Sequence, residues 1–333
     1  MKFKRVMVES PWNFDVGYGE MDTNLSPTQM LIKADYTAIS PGTEIACISG
    51  IEGWFPLPNV PGYCAGGEVV EIGSEVIDFK VGDKVFYEGG HKEYLVVEEK
   101  SYVIKCPEGI DMRQASYAKM ATIAMTALRA SNIELGDYVA VSGLGMIGNL
   151  AAQLASLQGG NVIGVDFSQA RIDKAKECGI KQGVNAKEKD AKEEITKLTN
   201  GQMVSTFIEG TGITQAITSY FTCVKRHGEM ILLGSPRNAY EVDILPIMDA
   251  VHNFKYDLTL KGAHESTIAL RPTEGIKHNK IDTARVVLDM INDGRLKMLP
   301  LISAVIKPEE APAVYADLRD NKDKYTGVVM QWN

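Results

Sequence analysis

The sequence holds little cysteine, and what it holds is scattered. Cys47, Cys64, Cys106, Cys178 and Cys223 stand far apart, odd in number and without a C-x-x-C pair. That leaves no cysteine cluster for a structural zinc and fits reduced, buried thiols in a cytoplasmic protein. There is no basic stretch either, and the net charge is −8, which argues against nucleic acid and against an anionic membrane surface as partners. No apolar run approaches the ~20 residues that cross a bilayer. The start, MKFKRVMVES, is basic, but Glu9 cuts its apolar run too short for a signal peptide. Internal repeats and low-complexity segments are lacking. At 333 residues, the prior is two domains with a large core.

What is present is concentrated in residues 138–166. An apolar β-like run, Tyr138-Val139-Ala140-Val141, leads into Gly143, Gly145 and Gly148 in G-x-G-x-x-G spacing. A helical run with Leu150, Leu154 and Leu157 follows, then Val162-Ile163-Gly164-Val165 ending on Asp166. A glycine triplet between strand and helix, with an acid closing the next strand, has a mechanism. Gly143 permits the tight turn, Gly145 lets the backbone approach a pyrophosphate, and Gly148 lets the helix lie close on the sheet. The helix N-terminus offers free N–H groups to the phosphates. Asp166 can accept from both ribose hydroxyls and would repel a 2′-phosphate, so the cofactor is read as NAD. Arg171 is the counter-sign, since a nearby arginine can accommodate that phosphate. The plainer alternative is a glycine turn in some other βαβ unit.

Residues 1–105 read as mainly β, with short apolar runs separated by turns such as Ser40-Pro41-Gly42 and Val81-Gly82-Asp83. Many short strands suggest a barrel-like fold, and a helical region is expected over 112–132. From Asp137 strands and helices alternate, which means a parallel sheet covered on both faces. Helices are expected over 169–178 and 213–221, and strands ending near Asn185, over 204–208 and over 230–233. Residues 256–260 read as the last strand. The charge run at 187–194 reads as a solvated helix face. The tail reads helix (282–292), strand (301–306), helix (308–319) and strand (327–331), returning to the first domain.

Over almost its full length this order resembles the medium-chain dehydrogenase/reductase superfamily. Val60-Pro61-Gly62-Tyr63-Cys64-Ala65-Gly66-Gly67-Glu68-Val69 resembles its P-G-H-E…G-x-V strand. Val81-Gly82-Asp83-Lys84-Val85, Gly90-His91-Lys92-Glu93-Tyr94 and Leu135-Gly136-Asp137-Tyr138-Val139 with the glycine loop are similar to its later segments. The resemblance implies a GroES-like β-barrel catalytic domain over 1–124 and 266–333, and a Rossmann NAD-binding domain over 125–265 with a doubly wound parallel sheet. It implies a substrate cleft between them. It also implies cofactor contacts at Gly143, Gly145, Met146, Ile147, Gly148, Asp166, Arg171, Thr211 and Gly234, and a homodimer joined through the last Rossmann strand.

The departures are informative. Where zinc members of the family place a cysteine, a histidine and a third ligand, this sequence has Pro41, Tyr63 and, counting back from the glycine loop, Lys119. The four-cysteine lobe is missing as well. No metal is therefore expected; a site rebuilt from Cys47, Cys64 and His91 is the alternative. The resemblance makes Thr43 the proton-relay hydroxyl. Lys119 is the candidate base or fixed cation, and Tyr63 a candidate proton donor. The plainer readings are a turn cap for Thr43, a core residue for Tyr63, and a surface position or an ion pair with Glu44 for Lys119. His91 and His264 read as structural. Ser40-Pro41-Gly42-Thr43-Glu44 and the C-terminal segment resemble the sugar and glycoside dehydrogenase branch, and more loosely bacteriochlorophyllide dehydrogenases. The expected activity is zinc-independent, NAD-dependent interconversion of a secondary alcohol and a ketone on a polyhydroxylated small molecule. A zinc-free enoyl or quinone reductase, and a cofactor-binding sensor without turnover, are the rivals.

Overall fold

The computed structural model describes residues 1–237 and 239–332. It forms two compact units, residues 1–120 with 270–333 and residues 121–269.

The first unit opens with a hairpin of β1 (Lys2–Ser10) and β2 (Asn13–Glu20), paired from Lys2↔Glu20 to Ser10↔Asn13. β3 (Gln29–Ile39) is the organising strand: its Met30-Leu31-Ile32 run is almost wholly buried, and it pairs with three other strands. α1 (Pro41–Ile48) follows directly. The segment read from sequence as the turn Ser40-Pro41-Gly42 is thus a helix start, a correction with a local cause. Proline at the first helical position lacks an N–H that would have no acceptor there, and its fixed φ already suits a helix. Then come β4 (Ala65–Ile72), β5 (Lys84–Tyr87), β6 (Tyr94–Glu98), β7 (Val103–Lys105), α2 (Met112–Ala115) and α3 (Ala118–Ala130), within which the division between units falls.

The second unit alternates strand and helix: β8 (Tyr138–Ser142), α4 (Met146–Leu157), β9 (Asn161–Asp166), α5 (Gln169–Glu177), β10 (Gln182–Asn185), α6 (Ala191–Leu198), β11 (Val204–Glu209), α7 (Thr214–Tyr220), β12 (Val224–Leu232), α8 (Leu245–His252) and β13 (Thr259–Gly262). The six strands are all parallel in the order β10-β9-β8-β11-β12-β13. This is the doubly wound order of a dinucleotide-binding sheet, with its switch point between β8 and β11. Ile163, Phe207 and Met230 are fully buried in its core. The last strand begins three residues later than the sequence suggested and ends two later; before it His227 is hydrogen-bonded to Asp257, which has φ +48°.

The tail returns to the first unit. α9 (Lys280–Asn292) precedes β14 (Ile302–Ile306), α10 (Ala311–Asp320) and β15 (Gly327–Gln331). β15 lies antiparallel to β3, pairing Val328 with Ile39 and Gln331 with Tyr36. The first unit's sheet runs β14-β15-β3-β4-β5-β7, with β6 also on β3, and it is the GroES-like half of the fold. Its core gathers Val6, Val8, Ile39, Ile48, Val314, Tyr315 and Met330. No described helix is long and apolar enough to cross a membrane.

Candidate functional site

In the second unit the glycine loop follows from sterics. Gly143 has φ +79°, and a Cβ there would stand 2.7 Å from the Thr211 methyl. A Cβ on Gly148 would lie 1.7 Å from the Gly143 carbonyl oxygen, so no side chain fits. A Cβ on Gly145 would meet nothing within 4 Å, which marks an open side. Gly145 caps α4 without a side chain. The first-turn amides of Met146, Ile147 and Gly148 thus have no intrahelical acceptor, next to the open side of Gly145. These residues fit the pyrophosphate of a dinucleotide.

Asp166, at the end of β9, is 8% exposed. Its Oδ2 accepts from the Leu144 amide at 2.6 Å and its Oδ1 from the Ser168 amide at 2.8 Å, with the Arg171 guanidinium 4.0 Å away. One residue of this region went unnoticed in the sequence. Glu209, fully buried at the end of β11, accepts from the amides of Thr211 and Gly212 at 2.7 and 3.0 Å, and from the Thr211 hydroxyl. The loop so held sits tightly against Gly234, where a Cβ would be 2.1 Å from the Gly212 nitrogen. Gly143, Thr211 and Gly234 thus meet at the C-terminal edge of the sheet. The signal that could have found Glu209 is its position: an acid closing a sheet strand, as Asp166 closes β9.

In the first unit two hydroxyls meet. The Tyr63 phenol donates to the Ser40 hydroxyl, and Thr43 is near enough to bear on the phenol's pKa. Burial pushes the Tyr63 phenol well above its ordinary value; the Cys64 thiol and the Glu44 carboxylate add to the shift, and the Ser40 and Thr43 hydrogen bonds oppose it. Tyr63 therefore stays a neutral hydrogen-bond donor and does not serve as a phenolate base. Behind this group lies a closed network. Glu44 (1% exposed) and His91 (0%) form a buried pair, Nε2 to Oε2 at 2.8 Å. The other imidazole nitrogen meets the Thr37 hydroxyl at 2.7 Å, and the Tyr315 phenol donates to Glu44.

Lys119 is 4% exposed. Its ammonium lies 3.0 Å from a Glu88 carboxylate oxygen and 4.9 Å from the centre of the Tyr102 ring. A carboxylate and a ring face both stabilise a cation. Glu44, the partner considered from sequence, is taken up by His91 and Tyr315.

The donor set does not fit a zinc ion. Pro41 has no ligand atom, the Lys119 ammonium has no lone pair to give, and the Tyr63 hydroxyl is engaged by Ser40. Among the described residues no group of three or more His, Cys, Asp or Glu side chains stands in reach of one metal. His91, the centre of the alternative set, has both ring nitrogens in hydrogen bonds.

Comparison with known proteins agrees with the fold. Residues 26–108 match the family described as alcohol dehydrogenase GroES-like domain, and residues 146–266 the family described as zinc-binding dehydrogenase. The chain is similar to a sorbitol dehydrogenase of Halalkalibacterium halodurans, 30% identical over 241 residues, 62% of this chain and 69% of that protein. It is 37% identical over 174 residues to a D-guloside 3-dehydrogenase of Escherichia coli, 51% of this chain and 49% of that one. A crystal structure of a zinc-binding dehydrogenase from Sinorhizobium meliloti bound to NADP superposes with a TM-score of 0.83 at 22% identity, covering 99% of both chains. The chain belongs to the medium-chain dehydrogenase/reductase superfamily.

Proposed function

We propose that the protein is a zinc-independent, NAD-dependent dehydrogenase that interconverts a secondary alcohol and a ketone on a sugar, glycoside or polyol. The observation that carries this reading is the Tyr63 phenol hydrogen-bonded to the Ser40 hydroxyl, with Thr43 beside it, on the segments where the family's zinc members carry metal ligands. The substrate class is supported by relatives that are sorbitol and guloside dehydrogenases. A nicotinamide cofactor is supported by the glycine loop, and NAD over NADP by the Asp166 carboxylate where a 2′-phosphate would come. The NADP-bound relative is the counterweight.

When bound, the nicotinamide supplies a hydride acceptor or donor. The chain's own residues have three tasks. The amides of residues 146–148 hold phosphate. The Lys119 ammonium offers a fixed positive field to an oxygen that gains charge as the alcohol is oxidised, the task zinc performs elsewhere. The Tyr63 and Ser40 hydroxyls, with Thr43 beside them, pass the proton the alcohol loses on to solvent water. For each turnover the alcohol loses one hydride and one proton, and a C=O bond forms.

The experiment is a screen of polyols, aldoses, glycosides and cyclitols with NAD and with NADP, read as absorbance of the reduced cofactor at 340 nm. Saturable turnover with a polyhydroxylated substrate and NAD supports the reading. Turnover only with conjugated enones or quinones would replace it with the reductase.

A further inference from the structure

The buried network behind Tyr63 has one hydrogen-bond pattern in which every hydrogen finds an acceptor within the cluster. The Trp332 indole can only donate, and it does so to the Thr37 hydroxyl at 3.0 Å. The Thr37 proton then points to His91 Nδ1. His91 therefore carries its hydrogen on Nε2 and gives it to Glu44 Oε2, which also receives the Tyr315 hydroxyl. The other Glu44 oxygen accepts the Ser40 amide at 2.7 Å. The carboxylate lies in the first turn of α1, where a negative charge is favoured.

That last contact ties the network to the site. Ser40 is the N-cap of α1, yet its side chain makes no cap hydrogen bond. Its hydroxyl is turned to Tyr63 instead. Glu44, at the fourth helical position, reaches back to the Ser40 amide and so ties down the backbone of the helix start. Thr43, whose hydroxyl bears on the Tyr63 pKa, belongs to the same turn. From the other side, Gly62 has φ +96°, and a Cβ there would lie 2.8 Å from His91 Nε2. The imidazole thus packs directly under the residue that precedes Tyr63.

We infer that Glu44 is a positioning residue, held by His91 and Tyr315, that anchors the Ser40 backbone and so fixes the Ser40 hydroxyl against the Tyr63 phenol. The inference rests on the reading of Tyr63 as part of the proton path, so its test reads position and rate separately. In Glu44→Gln one acceptor oxygen becomes an NH2 group facing the donors of His91 and Tyr315 or the Ser40 amide. Tyr315→Phe removes a single donor and is the gentler variant should the first not fold. Position is read from the Tyr63 ring-carbon NMR signal, assigned by its loss in Tyr63→Phe. Both folded variants are expected to shift that signal. Glu44→Gln is expected to lower kcat by ~10-fold or more with the KM for NAD unchanged, and to add little loss in a Tyr63→Phe background, as coupled residues do. An unmoved Tyr63 signal, or the same fold-loss with and without the Tyr63 hydroxyl, would overturn the inference. If Tyr63→Phe keeps the native rate while Glu44→Gln still moves the signal, the role of Tyr63 in the reaction falls and the positioning stands.

Discussion

The carboxylate of Asp166 accepts a hydrogen bond from the amide of Leu144, 2.6 Å away inside the glycine loop. The residue proposed to read the ribose therefore also holds the loop proposed to read the pyrophosphate. Asp166→Ser should do two things at once. It should narrow a preference for NAD over NADP of at least ~10-fold, about 1.4 kcal/mol. It should also weaken both cofactors, because the loop loses a charge-assisted tie. Calorimetry with each cofactor checks this; a wild type that binds NADP as tightly as NAD contradicts it.

Lys119 should matter as a cation. Lys119→Ala and Lys119→Met should each lower the hydride-transfer rate by ~10²-fold, the scale of an oxyanion or acid–base contribution. NAD affinity should be untouched, since the loop and Asp166 are unchanged. Because the ammonium faces Glu88 and the Tyr102 ring, Lys119→Arg should keep more rate than Lys119→Met, which a role as neutral base would not allow. Single-turnover kinetics with bound NAD measures both.

The glycine loop was legible in the sequence because its constraints are local. Gly143 and Gly148 lie five residues apart, and the clash that forbids a side chain on Gly148 is with Gly143 itself. The alternation from Asp137 onward dictated a parallel sheet for the same reason. The Glu44 network was not legible. Its members at 37, 44, 91, 315 and 332 meet only because β15 pairs with β3 and Tyr315 of α10 packs into the core beside Ile39 and Ile48. Nothing at position 44 announces a partner 271 residues away. Residues 1–105 read as mainly β, but the pairing of β1 with β2 was not legible, nor was α8. β1 alternates poorly, with Lys4 and Arg5 side by side in it, and α8 leaves Leu245 and Met248 exposed, 68% and 44%, on a short helix.

At least five of the thirteen tyrosines should resist ionisation. Burial pushes the phenols of Tyr63, Tyr87, Tyr117, Tyr220 and Tyr315 above their ordinary value. A raised folded-state value means the stability these groups contribute is full below pH ~10, where an unfolded tyrosine begins to ionise, and is lost as pH rises beyond it. An absorbance titration at 295 nm should show these five appearing together with cooperative alkaline unfolding. Smooth ionisation of all thirteen in folded protein would contradict this.

The outer edge of β13 should be covered by a second copy. β13 is the last strand of its sheet, and Leu260 (37%), Leu245 (68%) and Phe254 (81%) are exposed in and near it. An open edge is a liability, and two of the charges that might guard it are bound within the chain: Lys261 to Glu229 at 2.7 Å, Asp257 to His227 at 2.9 Å. A two-fold pairing of this strand covers it. Light scattering at micromolar concentration should give a dimer mass for the native protein and a folded monomer for Leu260→Lys. A monomeric native protein refutes the pairing.

The proposed catalysis runs without zinc, through Lys119 and the Tyr63 hydroxyl group. The most direct measurement is the rate of NAD reduction by protein dialysed against a strong chelator and checked for metal by elemental analysis, using the best substrate from the polyol and glycoside screen. Full activity with less than ~0.1 zinc per chain, unchanged when zinc is added back, is the expected result; the chemistry then needs no more than the oxyanion and proton-transfer terms assigned to these residues. Activity that disappears with the metal and returns with one equivalent of zinc would contradict it.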